Sequence, residues 1–341
     1  MSLKIDELHF HNVAALEGYA GGYHLCRFPQ EVRHTLGERG RFIAEESTGC
    51  EIRFVTPAPN VRITLQLPNN EGEVAVYKGG ILHSMHRLQA GLPTTLHLEE
   101  PPRLSMIPRE QLLESGFAPE VWRIIFGRAN AVLLRLNTFG HPVRPPKPEE
   151  TPRLRWLAYG SSITHGLMTY PLSYVDQAAR RLQADVSNKG MSGSCLCEKE
   201  MADFLAERQD WDVITLELGV NMRDQFTPEA FAERTEYLLK QVAMRHPKKP
   251  IFVITIYPNF ATQADTVAGE RERRYNDILQ EQVKALQHPH VYLLDGSSVM
   301  MDYSSLSADM IHPGSYGHMR MGERLAALMK PVLEHYCLRE R

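Results

Sequence analysis

Up to about residue 140 the chain runs in short stretches that alternate apolar and polar positions with period two, the pattern of strands with one buried and one solvated face. Residues 51–56 (Glu-Ile-Arg-Phe-Val-Thr) and 61–67 (Val-Arg-Ile-Thr-Leu-Gln-Leu) show it most clearly. The turn Ala58-Pro-Asn60 between them predicts a hairpin, and residues 72–77 and 94–98 continue the pattern, with Gly79-Gly80 and residues 91–93 as breakers. One helix is predicted over 108–114 and a last strand over 130–136. The expectation is an all-β, jelly-roll-like sandwich over residues 1–140, without internal repeats. Residues 141–152 then pack five prolines into twelve positions, which disfavours helix and central strand alike. Residues 141–153 are read as a domain linker.

From residue 154 the rhythm changes. Strands are predicted at 154–159, 185–187, 212–218, 251–256 and 291–295, and four of the five are nearly unbroken apolar runs, as in strands buried on both faces. Helical stretches separate them. Ser173 to Ala184 is one; Thr227-Pro-Glu-Ala opens another with Thr at the N-cap and Pro at the first turn, followed by Phe231, Leu238, Leu239 and Val242 on one face. Residues 270–277 read as a solvated helix face with a Glu270–Arg274 pair. The last helix runs from about Ser315 past Leu328, with Met319, Met321 and Met329 as core filler and Pro331 as its end or kink. A parallel sheet covered by helices on both faces follows for residues 154–341.

Composition adds exclusions. With 38 Lys and Arg against 41 Asp and Glu, the net charge of −3 gives no field that calls for nucleic acid or an anionic membrane as partner. No apolar run approaches the ~18 residues of a membrane span, and Met1 to Glu7 lacks the basic start and apolar stretch of a signal peptide, so the cytoplasm is the expected location. Five scattered cysteines (Cys26, Cys50, Cys195, Cys197, Cys337) suit reduced thiols. Neither a metal nor a cofactor is expected: Cys195-Leu-Cys197 has no second pair, His83 and His86 have no third ligand within 82–87, and no Gly-x-Gly-x-x-Gly follows the first parallel strand. Oligomeric state has no signature in the sequence.

Every chemical candidate in the second half falls where a strand should end. Gly160-Ser-Ser162 lies between a strand and a helix, placing the Ser162 hydroxyl at the carboxyl edge of the sheet, the usual ligand crevice of open α/β folds. After the second strand, residues 188–194 bring two glycines that let backbone amides approach a ligand. Gly219-Val-Asn221 follows the third strand, and Asp309-Met-Ile-His312 follows the fifth. An aspartate three residues before a histidine can accept from Nδ1 and leave Nε2 to take a serine proton. Acyl transfer also needs donors where negative charge develops, and Gly193 and Asn221 are suited to supply them. His165 is either a substrate contact or a hydrogen-bonded helix residue; Glu217, alone between apolar residues of a central strand, is a candidate for holding a neighbour in place.

This ordered set resembles the SGNH (GDSL-type) hydrolase family, whose four blocks carry a serine, a glycine, an asparagine and Asp-x-x-His. The matching residues are Ser162, Gly193, Asn221 and Asp309 with His312, over roughly residues 154–333. Ser161 stands where the family name has an aspartate and is read as structural. The resemblance implies a flavodoxin-like three-layer α/β/α fold, a Ser162–His312–Asp309 triad, and an oxyanion hole from the Ser162 and Gly193 amides and the Asn221 side chain. A β-sandwich ahead of such a domain resembles certain carbohydrate-ester deacetylases. The implied function is a serine esterase for small O-acyl esters, acetyl esters of carbohydrates foremost, with a small-molecule or carbohydrate ester as its partner. An acyltransferase using the same acyl-enzyme and an idle carbohydrate-binding protein are the alternatives.

Overall fold

The computed structural model describes residues 5–169 and 172–339, with side chains to Tyr336; Met1 to Lys4 and the Cys337 side chain, both read above, lie outside the described residues. Two compact units emerge. The first takes residues up to 33, 44–153 and 183–187, and the second takes 34–43, 154–182 and 188 onward. Where the sequence reading drew one boundary through residues 141–153, the units interleave along the chain.

In the first unit the period-two stretches become two antiparallel sheets. Ten strands build them: β1 (His9–His11), β2 (Ala15–Tyr19), β3 (Gly22–Cys26), β4 (Glu51–Val55), β5 (Asn60–Gln66), β6 (Gly72–Lys78), β7 (Ile81–Leu88), β8 (Thr94–Glu99), β9 (Val121–Phe126) and β10 (Val132–Asn137). Their orders are β1-β4-β9-β6-β7 and β2-β3-β10-β5-β8. In β5 the buried Val61, Ile63 and Leu65 alternate with polar residues, and Ile63 and Val61 face Leu96 and Leu98 of β8 across the pair. Those side chains join Ile52, Phe54, Val74, Val76, Trp122 and Ile124 in one apolar core.

The expected hairpin between residues 51–56 and 61–67 does not form: β4 pairs with β1 and β9, and β5 with β10 and β8. Residues 56–59 between the strands include Pro57 and Pro59, which hold φ at about −65° and donate no backbone hydrogen bond, and this stretch carries the chain from one sheet to the other. The expected helix at 108–114 shrinks to α3 (Arg109–Leu112) and one 3₁₀ turn, after α1 (Gln30–Thr35) and α2 (Glu38–Ala44), which the alternation did not reveal. The proline-rich segment is tied down rather than free. Val55 and Arg144 exchange backbone hydrogen bonds of 2.8 and 3.1 Å, and the Arg144 guanidinium donates to both carboxylate oxygens of Glu150 at 2.7 Å.

The second unit is organised on a parallel sheet of β11 (Leu154–Gly160), β12 (Ala184–Gly190), β13 (Val213–Glu217), β14 (Ile251–Ile254) and β15 (Val291–Leu294), ordered β12-β11-β13-β14-β15. Residues 183–187 nevertheless cluster with the first unit, where Asp185 receives both terminal nitrogens of the buried Arg53 at 2.7 Å. The helices are α4 (Ser162–His165), α5 (Tyr174–Leu182), α6 (Lys199–Glu207), α7 (Pro228–Arg245), α8 (Val267–Leu286), α9 (Gly296–Val299) and α10 (Ser315–Arg339). Helix α5 packs on α10, while α6, α7 and α8 pack in succession, giving the layers of a doubly wound fold. Thr227 caps α7 through the Ala230 amide, and Phe231, Leu238, Leu239 and Val242 are its buried face. Pro331 lies within α10, which continues past it. Met321 and Met329 are buried, but Met319 is exposed. Among the described residues no helix is long and apolar enough to cross a membrane.

Candidate active site

The order of the parallel strands reverses direction between β11 and β13, so the crevice at their carboxyl ends is open to a ligand. Strand β11 ends at Gly160. Ser161 then caps the single turn of α4 by accepting from the Ile163 amide at 3.2 Å, and Ser162 becomes the first helical residue. Its Oγ lies 2.6 Å from His312 Nε2, and His312 Nδ1 lies 2.7 Å from Asp309 Oδ2. The other oxygen of Asp309 accepts from the amides of Ile311 and His312, both at 2.9 Å, and from Ser307 Oγ at 3.1 Å. Partial burial works to raise the Asp309 pKa, but these donors and the His312 ring together hold it well below the usual carboxylate range. Asp309 is therefore an anion at neutral pH, fixing the Nδ1–H tautomer of His312 and leaving Nε2 to face the serine.

The loop after β12 is tied to the same turn. Met191 donates its amide to Gly160 O at 2.8 Å, Ser192 Oγ meets His165 Nδ1 at 2.7 Å, and the Cys195 amide donates to Asn221 Oδ1 at 3.1 Å. Gly193 sits between these anchors at φ +68°, in the left-handed region glycine tolerates, and a Cβ there would come within 3.6 Å of Arg39 Nε. Because the Asn221 oxygen is engaged, its Nδ2 hydrogens remain for a ligand. The amides of Ser162 and Gly193 have no acceptor among the described residues. His165, expected either to touch substrate or to be held, is held: it is buried against Ser192.

Glu217 closes β13 beneath the nucleophile turn. Its Oε2 accepts from the Ser161 amide at 2.7 Å and from Thr164 Oγ1 at 3.1 Å, and a Cβ on Gly160 would come within 2.5 Å of that oxygen. Burial pushes the Glu217 pKa up to about 7 against the pull of these donors. Cys195 Sγ caps the Glu217 carbonyl at 3.7 Å.

Sequence reasoning missed two supports. Glu272, read as part of a solvated face, is buried and pairs with Arg223, while Arg274 reaches Glu281 rather than Glu270. Asn259 joins the pair by donating to Glu272 at 2.9 Å, and the next residue, Phe260, donates its amide to Met310 O at 2.9 Å, so the loops after β13 and β14 and the Asp309 loop are linked. The second is Arg39, exposed beside Gly193 and stacked over Phe42, from a helix more than a hundred residues before the nucleophile turn that no motif marks. His83 and His86 share Ser84 Oγ at 2.8 and 2.9 Å, and His83 Nε2 faces Glu99 O.

None of the curated proteins matches the chain. Among solved structures, a salicylyl-acyltransferase, SsfX3, from a tetracycline biosynthetic pathway superimposes with a TM-score of 0.79 at 18% identity, over 94% of this chain and 95% of that one. A family two carbohydrate esterase from Clostridium thermocellum, an active-site mutant with a bound oligosaccharide, gives 0.66 at 15% identity over 96% and 98%. An acetyl xylan esterase from the rumen bacterium Butyrivibrio proteoclasticus gives 0.59 at 11% identity over 97% of each chain. At these identities the likenesses establish the two-part fold. Residues 155–333, more than half of the chain, match the GDSL-like Lipase/Acylhydrolase family, and the protein belongs to that family of SGNH hydrolases.

Proposed function

We propose that the protein is a serine esterase that removes small acyl groups, acetyl foremost, from oxygen esters of carbohydrates or similar polyols. The observation that carries this reading is the unbroken chain from Ser162 Oγ through His312 to Asp309, at 2.6 and 2.7 Å. In the first half-reaction Ser162 Oγ attacks the ester carbonyl and its proton passes to His312 Nε2. The carbonyl oxygen, now negative, takes hydrogen bonds from the Ser162 and Gly193 amides and from Asn221 Nδ2. Collapse breaks the ester bond, His312 returns the proton to the departing alcohol, and an acyl-enzyme remains. Water, deprotonated by the same imidazole, then releases the acid.

Support for the substrate class comes from the neighbours that are carbohydrate esterases, one of them an acetyl xylan esterase. The salicylyl-acyltransferase favours a second reading, in which an alcohol rather than water receives the acyl group. One experiment separates these: follow an aryl acetate with the pure protein while adding simple alcohols and sugars. A hydrolase yields acetate throughout; a transferase diverts the acyl group to the acceptor at low acceptor concentration. Absence of turnover on every aryl acetate would favour instead a carbohydrate-binding protein with an idle site.

A further inference from the structure

We propose that Glu17, His24 and Cys26 form a divalent-metal site of zinc type on the β2–β3 hairpin of the first unit, apart from the Ser162 site in sequence and chemistry. Glu17 lies directly across the pair from His24, and Cys26 follows two residues later on the same strand and face. One ligand atom from each lies within 4.8 Å of the other two. Cys26 Sγ is 3.4 Å from His24 Nδ1. A tetrahedral ion bound at about 2.3 Å to sulfur and about 2.0 Å to nitrogen needs these atoms about 3.5 Å apart.

The surroundings orient the ligands as a metal requires. His24 Nε2 faces the Glu45 carbonyl at 3.2 Å, so Nε2 carries the proton and donates, and the Nδ1 lone pair is turned toward the sulfur. Binding replaces the Cys26 S–H bond by a sulfur–metal bond and releases one proton. Glu17 is partly exposed, leaving an approach from solvent and room to close the last ångström. Arg33 pairs with Glu17 and with Glu45 and opposes a nearby cation. The charges still balance: two carboxylates and one thiolate offset the guanidinium and a divalent ion. Water completes the coordination.

The test uses the full chain, stripped with a chelator, desalted and titrated with Co²⁺ as a spectroscopic probe. One equivalent should give tetrahedral visible bands and a thiolate-to-cobalt charge-transfer band. That band should vanish in Cys26→Ser and persist in Cys197→Ser. Glu17→Gln, at a partly exposed position that should not prevent folding, should weaken binding at least on the order of tenfold. No charge-transfer band in the wild type, a band that survives Cys26→Ser, or unchanged affinity in Glu17→Gln would each overturn the proposal and leave a thiol–imidazole hydrogen bond in its place.

Discussion

Ser161 and Ser162 are neighbours in the chain with different parts to play, one capping the turn and the other facing His312. Ser162→Ala should abolish ester hydrolysis, whereas Ser161→Ala should keep a substantial fraction while losing about 1 kcal/mol of stability with the cap; steady-state rates and urea unfolding of both variants check this, and a dead Ser161→Ala with an active Ser162→Ala would reverse the roles. Asp309→Asn should lower kcat by on the order of 10⁴, because the amide can hold the imidazole in the wrong tautomer. Glu217 makes a separate claim on stability. Its folded pKa, raised from 4.5 to about 7, means that its contribution is full below pH 4.5 and is lost as pH rises toward 7. The loss should amount to about 3 kcal/mol. Urea unfolding at pH 4.5 and pH 8 should therefore show the wild type losing more stability on going to high pH than Glu217→Gln does; equal losses would mean that Glu217 ionises as easily in the folded chain as in water.

Among the elements, the parallel strands were the most legible, because β13 and β14 are buried along their whole length and are dominated by apolar residues, with Thr215 and Glu217 the polar exceptions in β13. Strands β1 to β3, β7 and β9 are not among the strands the sequence pattern marks. Strand β7 is half exposed and carries His83, Ser84, His86 and Arg87, so its period is blurred. Ser162, Gly193 and Asn221 could be picked out as candidates because each closely follows a strand that could itself be read, whereas Asp309 and His312 lie beyond α9 and stand out only by their spacing. Supports between elements were not, since Glu272 is acidic in a charged helix and only the fold brings Arg223 to it. Glu272→Gln should cost roughly 3 kcal/mol in urea unfolding by leaving the Arg223 charge less well paired, with exposed Asp224 at 3.3 Å recovering part of the loss. Asn221→Ala, in the loop that this pair braces, should lower kcat by on the order of 10² or more with a smaller change in KM; unchanged kcat would remove Asn221 from the mechanism.

For the whole molecule, the change from alternating to continuous apolar pattern near residue 150 separated two kinds of architecture. What it did not reveal is that residues 34–43 cluster with the second unit and 183–187 with the first. Within the units, residues far apart in sequence come together, Arg53 pairing with Asp185 in the first and Arg39 lying beside Gly193 in the second, and no local pattern encodes either. A fragment from Thr151 onward lacks residues 34–43 of the second unit. Its kcat/KM on an aryl acetate should fall on the order of tenfold or more below that of the full chain, and a fragment equal to the full chain on every ester would show that residues 34–43 have no part in building the site. The central claim, that Ser162 is activated by His312, is tested most directly by covalent labelling. The protein should be treated with a serine-reactive fluorophosphonate, digested, and the adduct located by mass spectrometry. The account predicts one adduct on Ser162, formed rapidly in the wild type and far more slowly in His312→Ala; labelling at another residue, or equal labelling rates in the two proteins, would contradict it.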